Sequence, residues 1–235
     1  MVDGPLLDVL RPAFKPCPNF KKACKGYCRW IPRKGHVPRA FGGATGAISD
    51  IRLILVTAEP GDAKHGDVYR GSPDKMLHHS MSVFTTFLEK DGLHGARQAR
   101  PFHRNLRKIL KLCWPQDSLE DQLRKTWVTP SVLCSAKVSG GNVPRLIEDT
   151  CVSTYLVHQI DLLENAFVLA LGEKAIERLR RNGIRMNRSA KHPAARAMDQ
   201  PEESWKKAAR AFRRWLKKHP VADRHTAPPS PANPP

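Results

Sequence analysis

The stretch IRLILV at residues 51–56 is a short, mostly apolar run that ends just before the turn Pro60-Gly61. An apolar run of this length, without strict alternation, predicts a strand that is buried on both faces. Two further stretches predict strands. Residues 127–133 form a weaker one, interrupted by Pro130, and residues 166–171 form one that ends at Gly172.

Helical patterns separate the predicted strands. Apolar residues recur at helical spacing over residues 74–88, 105–112 and 146–163. Strands that alternate with helices predict an α/β fold with a mainly parallel sheet. We therefore expect a three-layer α/β/α sandwich around a short sheet.

Composition divides the chain into three parts. Residues 1–45 are rich in Pro, Gly, Lys and Cys and predict an irregular, Cys-containing arm; residues 46–218 predict the globular domain; residues 219–235 have the composition of a disordered tail. Within the domain, residues 202–218 predict a helix with Trp205 and Phe212 on one face and many cations elsewhere. Such a helix usually packs on its domain, and contact of its basic face with DNA is a further possibility.

The charge of the chain indicates its partner. Lys and Arg total 40 against 22 for Asp and Glu, giving a net charge of +18 over 235 residues. This excess is typical of proteins that bind nucleic acid through phosphates, although excess charge can also serve solubility alone. The sequence contains neither an apolar run long enough for a membrane span nor the layout of a signal peptide. We expect a cytoplasmic monomer that binds single- or double-stranded DNA and no membrane.

Three segments carry residues suited to chemistry. Glu59 follows the first predicted strand, where open α/β sheets bind ligands, and could act as a general base or simply cap the next helix. Tyr69 lies at the centre of a Gly-framed loop, residues 66–71, and could stack on an extruded base or be an ordinary surface residue. His192 precedes Pro193 in a late loop, where it could stabilise developing negative charge or belong to a plain turn.

The cysteines predict a metal centre. Cys24 and Cys28 lie in the arm. Cys134 directly follows the second predicted strand, and Cys151 lies near the start of the next predicted helix. Four thiolates suit a [4Fe-4S] cluster or zinc, with Cys17 as a possible replacement for Cys24 or Cys28. Disulfides are disfavoured in the expected compartment, and buried, unlinked thiols are the alternative.

Taken in order, these features resemble the iron-sulfur branch of the uracil-DNA glycosylase superfamily. Its pattern is an N-terminal Cys pair, a Gly-Glu-Ala-Pro-Gly motif, a Gly-x-Pro-Phe-x-Gly loop, a strand ending in Cys, a further Cys, an Ala-Leu-Gly strand and a His-Pro-Ser motif. The matching segments here are Cys24 and Cys28, residues 57–61, residues 66–71, Cys134, Cys151, residues 169–172 and residues 192–194. Glu148, three residues before Cys151, also falls where the family usually has Glu.

The resemblance implies a role for each of these residues. Glu59 would position or activate water, Tyr69 would stack on the flipped base, and His192 would stabilise the leaving base. The four cysteines would hold the cluster. The implied function is hydrolysis of the N-glycosidic bond of uracil, or of a related damaged base, in DNA.

The chain also departs from the family pattern. The family's Glu falls on Ala58, and the acidic residue comes one place later, at Glu59. The Asn that reads uracil falls on Pro130, and neighbouring Ser131 is a poor substitute. Ala58 and Ser131, together with Tyr69, are the residues expected to contact the base. The cysteine pair is Cys-x3-Cys in place of Cys-x2-Cys, and His-Pro-Ser has become His-Pro-Ala. Two other functions therefore stay open: a non-catalytic iron-sulfur protein that binds nucleic acid on the same fold, and a zinc-binding regulator.

Overall fold

The computed structural model describes residues 4–63, 67–93, 101–138 and 140–220. Its strands are β1 (Gly42–Gly43), β2 (Leu53–Thr57), β3 (Thr126–Pro130), β4 (Phe167–Leu171) and β5 (Arg188–Ala190). Its α-helices are α1 (Pro5–Leu10), α2 (Pro73–Leu93), α3 (Pro101–Cys113), α4 (Leu119–Arg124), α5 (Arg145–Cys151), α6 (Val157–Leu162), α7 (Glu173–Arg181) and α8 (Pro201–Lys218). One π-helical turn, Val152–Leu156, joins α5 to α6.

The strands form a five-stranded mixed sheet in the order β1-β3-β2-β4-β5. β2 lies at the centre and pairs in parallel with β3 and β4, with Leu55 opposite Val128 and Leu169. β5 continues the parallel part, and β1 is an antiparallel edge. The α/β class with a mainly parallel sheet is thus confirmed.

Side chains of the central strands alternate between two cores. Ile54 and Val56 enter one core, while Leu53 and Leu55 enter the other. The first core is covered by α1, the α5–α6 segment and α7, and the second by α3, α4 and α8. Both faces are therefore covered by helices, an arrangement compatible with a three-layer α/β/α sandwich.

The three central strands are close to their predicted positions. Pro130, which interrupts the sequence pattern of the second strand, is the last residue of that strand and pairs with Thr57. A proline is tolerated there because the ladder ends at that residue. The edge strands were not predicted, because Gly42–Gly43 and Arg188–Ala190 are too short and too polar to show a pattern.

The predicted arm is less irregular than its composition indicates. Leu6, Leu7 and Leu10 of α1 are buried in the first core together with Phe14. The expectation of an irregular arm was therefore wrong for residues 5–14, which form α1 and the turn after it. With about one and a half turns, α1 is too short to be identified from the periodicity of its apolar residues. Packing against the domain stabilises it.

The C-terminal helix packs as expected. Trp205, Ala208 and Phe212 of α8 are buried in the second core, and Trp215 packs against it. From residue 221 onward the predicted tail lies outside the described residues. Within the described ranges, no helix has the length and apolar character that crossing a membrane requires.

Candidate active site and cysteine pocket

A pocket of about 690 Å³ lies at the carboxyl ends of the parallel strands. Residues that follow β2, β4 and β5 line it, together with side chains of α2 and α3. Four of the residues predicted for the site are among its lining: Ala58, Glu59, Tyr69 and His192. Open α/β sheets bind ligands in this crevice, so the chain brings separately predicted residues to a position suited to a ligand.

The Glu59 carboxylate is held between two cations. Its Oε1 lies 2.5 Å from Lys174 Nζ and its Oε2 lies 2.7 Å from Arg178 Nη2, and only 6% of the Glu59 side chain is exposed. Burial by itself would raise the pKa of Glu59, but the charges of Arg178 and Lys174 outweigh burial and lower that pKa. Glu59 is therefore a fixed carboxylate at neutral pH, able to orient water and to face a developing positive charge.

Arg178 links this carboxylate to the rest of the fold. Its side chain is 1% exposed and lies 2.6 Å from Glu148 Oε1 as well as contacting Glu59. It also donates a hydrogen bond of 3.0 Å to Ser131 Oγ. Glu148 binds Arg181 at 2.8 Å on its other oxygen. The network thus runs from the pocket to α5, the helix that ends at Cys151.

The ammonium group of Lys174 is held by three acceptors. Besides its contact with Glu59, Lys174 Nζ donates to the carbonyl oxygens of Gly141 at 2.9 Å and Gly140 at 3.4 Å. These acceptors occupy the three donors of the ammonium group. Lys174 therefore ties the loop after β3 to the carboxylate.

His192 has its proton in a defined place. The backbone N–H of Ala194 donates to His192 Nδ1 at 3.1 Å, so the neutral ring carries its proton on Nε2. Burial lowers the pKa of His192; the charge of Glu59 opposes this shift and that of Lys174 adds to it. The ring is therefore a neutral donor near pH 7, a state suited to stabilising negative charge.

Gly172 allows the His192 loop to approach the end of β4. Its φ of 93° and ψ of 156° belong to a region that is essentially restricted to glycine. A Cβ atom at this position would lie 2.8 Å from His192 Cβ. Glycine is therefore required at position 172 both by backbone conformation and by close packing.

Aromatic side chains surround the remainder of the pocket. Tyr69 is 3% exposed, and its ring packs edge-on against His79 with centroids 4.9 Å apart. Phe84, Phe87 and Phe102 also line the pocket, and the Phe102 ring lies 5.7 Å from that of His192. Planar rings of this kind suit a flat, largely apolar ligand such as a nucleobase. Gly66 of the predicted loop lies outside the described residues.

Ser131 and Pro130 lie behind the pocket and do not line it. Pro130 is buried at the end of β3, and Ser131 is 1% exposed, with its hydroxyl bound to the Ala58 carbonyl oxygen at 3.2 Å and to Arg178. The structure thus does not place Ser131 among the predicted residues that line the pocket. Its hydroxyl is satisfied by partners within the protein.

The predicted cysteines meet in a second, smaller pocket. Cys24, Cys28, Cys134 and Cys151 line it together with Cys17. The arm reaches this place because Cys28 pairs with Ala136, just beyond Cys134. The Cys151 sulfur accepts a hydrogen bond of 3.5 Å from the Leu133 backbone N–H. Cys113 lies in the second core and contributes nothing to this pocket.

The donor set suits a metal centre of several thiolates. Burial raises the pKa of Cys151 to about 12, so this thiol would ionise near neutral pH only with a cation beside it. In the described parts of the chain, no group of three or more His, Cys, Asp or Glu side chains is arranged around a single ion position. A mononuclear zinc site needs sulfurs about 3.8 Å apart, since each lies about 2.3 Å from the metal. A polynuclear cluster requires wider spacing.

Sequence reasoning missed Lys174 and Arg178. Their spacing of four residues places them on one helix face, which is a detectable signal. Their target is set by the sheet order, because α7 follows β4 and β4 lies beside β2, the strand that precedes Glu59. No protein-family model and no curated protein matches this chain.

Proposed function

We propose that this protein is a DNA N-glycosylase of the uracil-DNA glycosylase type, acting in base excision repair. The observation that carries the proposal is the pocket that Glu59, Tyr69 and His192 line together. These residues come from three separate segments of the sequence, residues 57–61, 66–71 and 192–194. The net charge of +18 supports a polyanionic substrate held mainly through its phosphates.

In the proposed reaction, water replaces the base at C1′ of the deoxyribose. The C1′–N bond breaks, its electron pair leaves with the base, and the water oxygen bonds to C1′. The Glu59 carboxylate would orient this water and face the positive charge on the sugar. The Nε2–H of His192 would donate to the base as it becomes negative, and the proton lost by water finally neutralises the base.

The lowered pKa of Glu59 bears on its part in this reaction. A carboxylate that faces Lys174 and Arg178 is a weaker base than a free one. Its contribution is therefore chiefly to position water, with charge stabilisation as its second effect. Tyr69 and the phenylalanines would hold the extruded base by contact with its faces.

We propose a [4Fe-4S] cluster as the cofactor of the cysteine pocket. Cys24, Cys28, Cys134 and Cys151 would hold it, with Cys17 as the replacement for Cys24 or Cys28. Bound there, the cluster would supply structural stability by tying the arm to the α5 helix. Zinc held by the same thiolates is the alternative.

The preferred base is a separate question from the reaction. Pro130 offers no side-chain hydrogen bond, and neither it nor Ser131 lines the pocket. The polar groups that line the pocket instead include the side chains of Asp67 and His103. The test must therefore include bases besides uracil.

The test is single-turnover release of uracil, hypoxanthine and xanthine from single- and double-stranded oligonucleotides. We expect release of at least one base by the wild type. Glu59→Gln and His192→Ala should each slow it at least tenfold, since a positioned acid-base group contributes about 10²- to 10⁴-fold and an oxyanion donor about 10²- to 10³-fold. The matched control is Glu177→Gln, which neutralises an exposed carboxylate on α7.

Two outcomes would contradict parts of the proposal. Full activity of Glu59→Gln would remove Glu59 from the mechanism. No release of any of these bases by the wild type would favour the non-catalytic nucleic-acid-binding protein on the same fold. The firm ion pairing of Glu59 is the observation on which that second candidate rests.

A further inference from the structure

A surface groove of about 870 Å³ adjoins the candidate active site. Trp30, Ile31 and Arg33 of the arm form one side, and Val68 and Arg70 of the loop before α2 form the other. Tyr69 lines both this groove and the active-site pocket. The two cavities are therefore neighbours with one side chain between them.

The two sides of the groove are fixed to each other. The Tyr69 backbone N–H donates to the Pro32 carbonyl oxygen at 3.0 Å. Close by, Gly35 packs so tightly that a Cβ atom there would lie 2.7 Å from Ala63 Cβ and 2.8 Å from Asp67 Cβ. The groove is thus formed before any ligand binds, which lowers the entropic cost of binding.

The chemistry of the groove combines cations with apolar surface. Arg33 and Arg70 are exposed, and neither forms an ion pair with any described residue. No acidic side chain is among the described residues that line the groove. Among the other lining residues, Ile31 is 44% exposed, and the indole of Trp30 is oriented by its hydrogen bond of 3.2 Å to the Ala13 carbonyl oxygen. Phosphates flanking a base have the complementary pattern of charge and apolar surface.

We infer that this groove binds the nucleotide next to the extruded one. The inference rests on the proposed function, because it takes the active-site pocket as the place of the extruded base. Arg33 and Arg70 bind the phosphates on either side of the neighbouring nucleotide, and its base lies against Ile31 and Trp30. A base in this position has left its complementary strand. The groove therefore favours single-stranded DNA over duplex.

The test measures binding of undamaged single-stranded and duplex oligonucleotides by fluorescence anisotropy over a range of salt concentrations. The groove variant is Arg33→Gln/Arg70→Gln. The control, Lys217→Gln/Lys218→Gln, removes the same charge from the exposed end of α8. For single strands, the groove variant should reduce the salt slope by about 1.4, which is about 0.7 for each phosphate that the protein no longer neutralises. The control should change it by less than half of that amount.

A second variant separates apolar contact from charge. Ile31→Ser removes exposed apolar surface without changing the charge or the core. It should weaken binding of single strands at every salt concentration and leave the salt slope as it is. Binding of duplex should be unchanged.

The outcomes distinguish this inference from the proposed function. Equal losses in the groove and α8 variants, or competition by polyglutamate as effective as competition by single-stranded DNA, would overturn the groove as a nucleotide site. If the wild type releases bases while the groove variant binds and reacts like the control, only the inference fails. If no base is released but the groove variant still loses affinity for single strands, the proposed reaction fails and the binding site stands.

Discussion

Replacing Arg178 by methionine tests the buried charge network directly. The side chain keeps its length and apolar stem, but Glu59, Glu148 and Ser131 each lose a partner. Breaking a buried ion pair from one side costs about 3–5 kcal/mol, because the remaining charge stays buried. Lys174 still faces Glu59, and Arg181 still faces Glu148, so the lower end of that range applies. A loss of about 3 kcal/mol corresponds to a fall in Tm of roughly 6–12 °C for a domain of this size.

The assay is thermal unfolding of wild type, Arg178→Met and the matched control Arg180→Met, whose side chain is exposed on the same helix. The control should lie within about 0.5 kcal/mol of wild type. Adding Glu59→Gln to Arg178→Met should recover part of the loss, because it removes one of the stranded carboxylates. If Arg178→Met and Arg180→Met unfold at the same temperature, the network does not stabilise the fold and this reasoning is refuted.

The same variant has a pH signature. The folded-state pKa of Glu59 is lowered, so its stabilisation is present above the unfolded pKa of about 4.3 and is lost as pH falls through the folded pKa. The difference in unfolding free energy between wild type and Arg178→Met should therefore shrink as the pH falls below the unfolded pKa of about 4.3. A constant difference from pH 7 to pH 3 would contradict the assignment to a charged Glu59.

Three further predictions concern other parts of the site. Gly172→Ala should destabilise the fold more than Gly183→Ala. Both residues have positive φ, for which a side chain costs about 1–2 kcal/mol, but only a side chain at position 172 would clash with His192. Equal unfolding temperatures of the two variants would contradict this. Because the pKa of His192 is lowered in the fold, wild-type stability should rise with pH through the unfolded His pKa of about 6.5, and His192→Gln should flatten that rise in urea titrations at pH 5 and 8. Anaerobically reconstituted wild type should bind iron and absorb visible light. Cys134→Ser should lose both the iron and the absorbance, while Cys113→Ala should keep them. A colourless wild type after reconstitution would exclude the cluster.

The central strands were predictable because a strand that is buried on both faces consists of a continuous run of apolar residues. β2 and β4 are continuous apolar runs, and no other described element gives that pattern at that length. The edge strands and α1 show no such apolar run in the sequence. Two glycines form β1, and α1 has only six residues, so tertiary packing decides their structure and local propensity does not.

The site was predictable where a residue ends a strand. Glu59 could be identified because it follows a predicted strand, and the carboxyl ends of parallel strands meet at one crevice. His192 could be identified only from its His-Pro loop and the resemblance, because β5, the strand before it, was not predicted. Arg178 could not, since its target depends on the sheet order and on the direction in which α7 packs. The surroundings of Ser131 could not be predicted for the same reason: its position next to Pro130 is visible in the sequence, but its hydrogen bond to the Ala58 carbonyl oxygen is not.

The buried network connects the cysteine pocket to the carboxylate of the candidate active site. Glu59 is oriented by Arg178, and Arg178 is oriented in turn by Glu148, which lies three residues before Cys151 on α5. A carboxylate held from both sides by cations has little freedom to move, so under the proposed function its position would have to be correct already in the folded protein. Whatever fixes α5 would then also fix the carboxylate. A structural cluster on α5 and the arm, as proposed, would contribute to the geometry of the pocket without taking part in the proposed reaction.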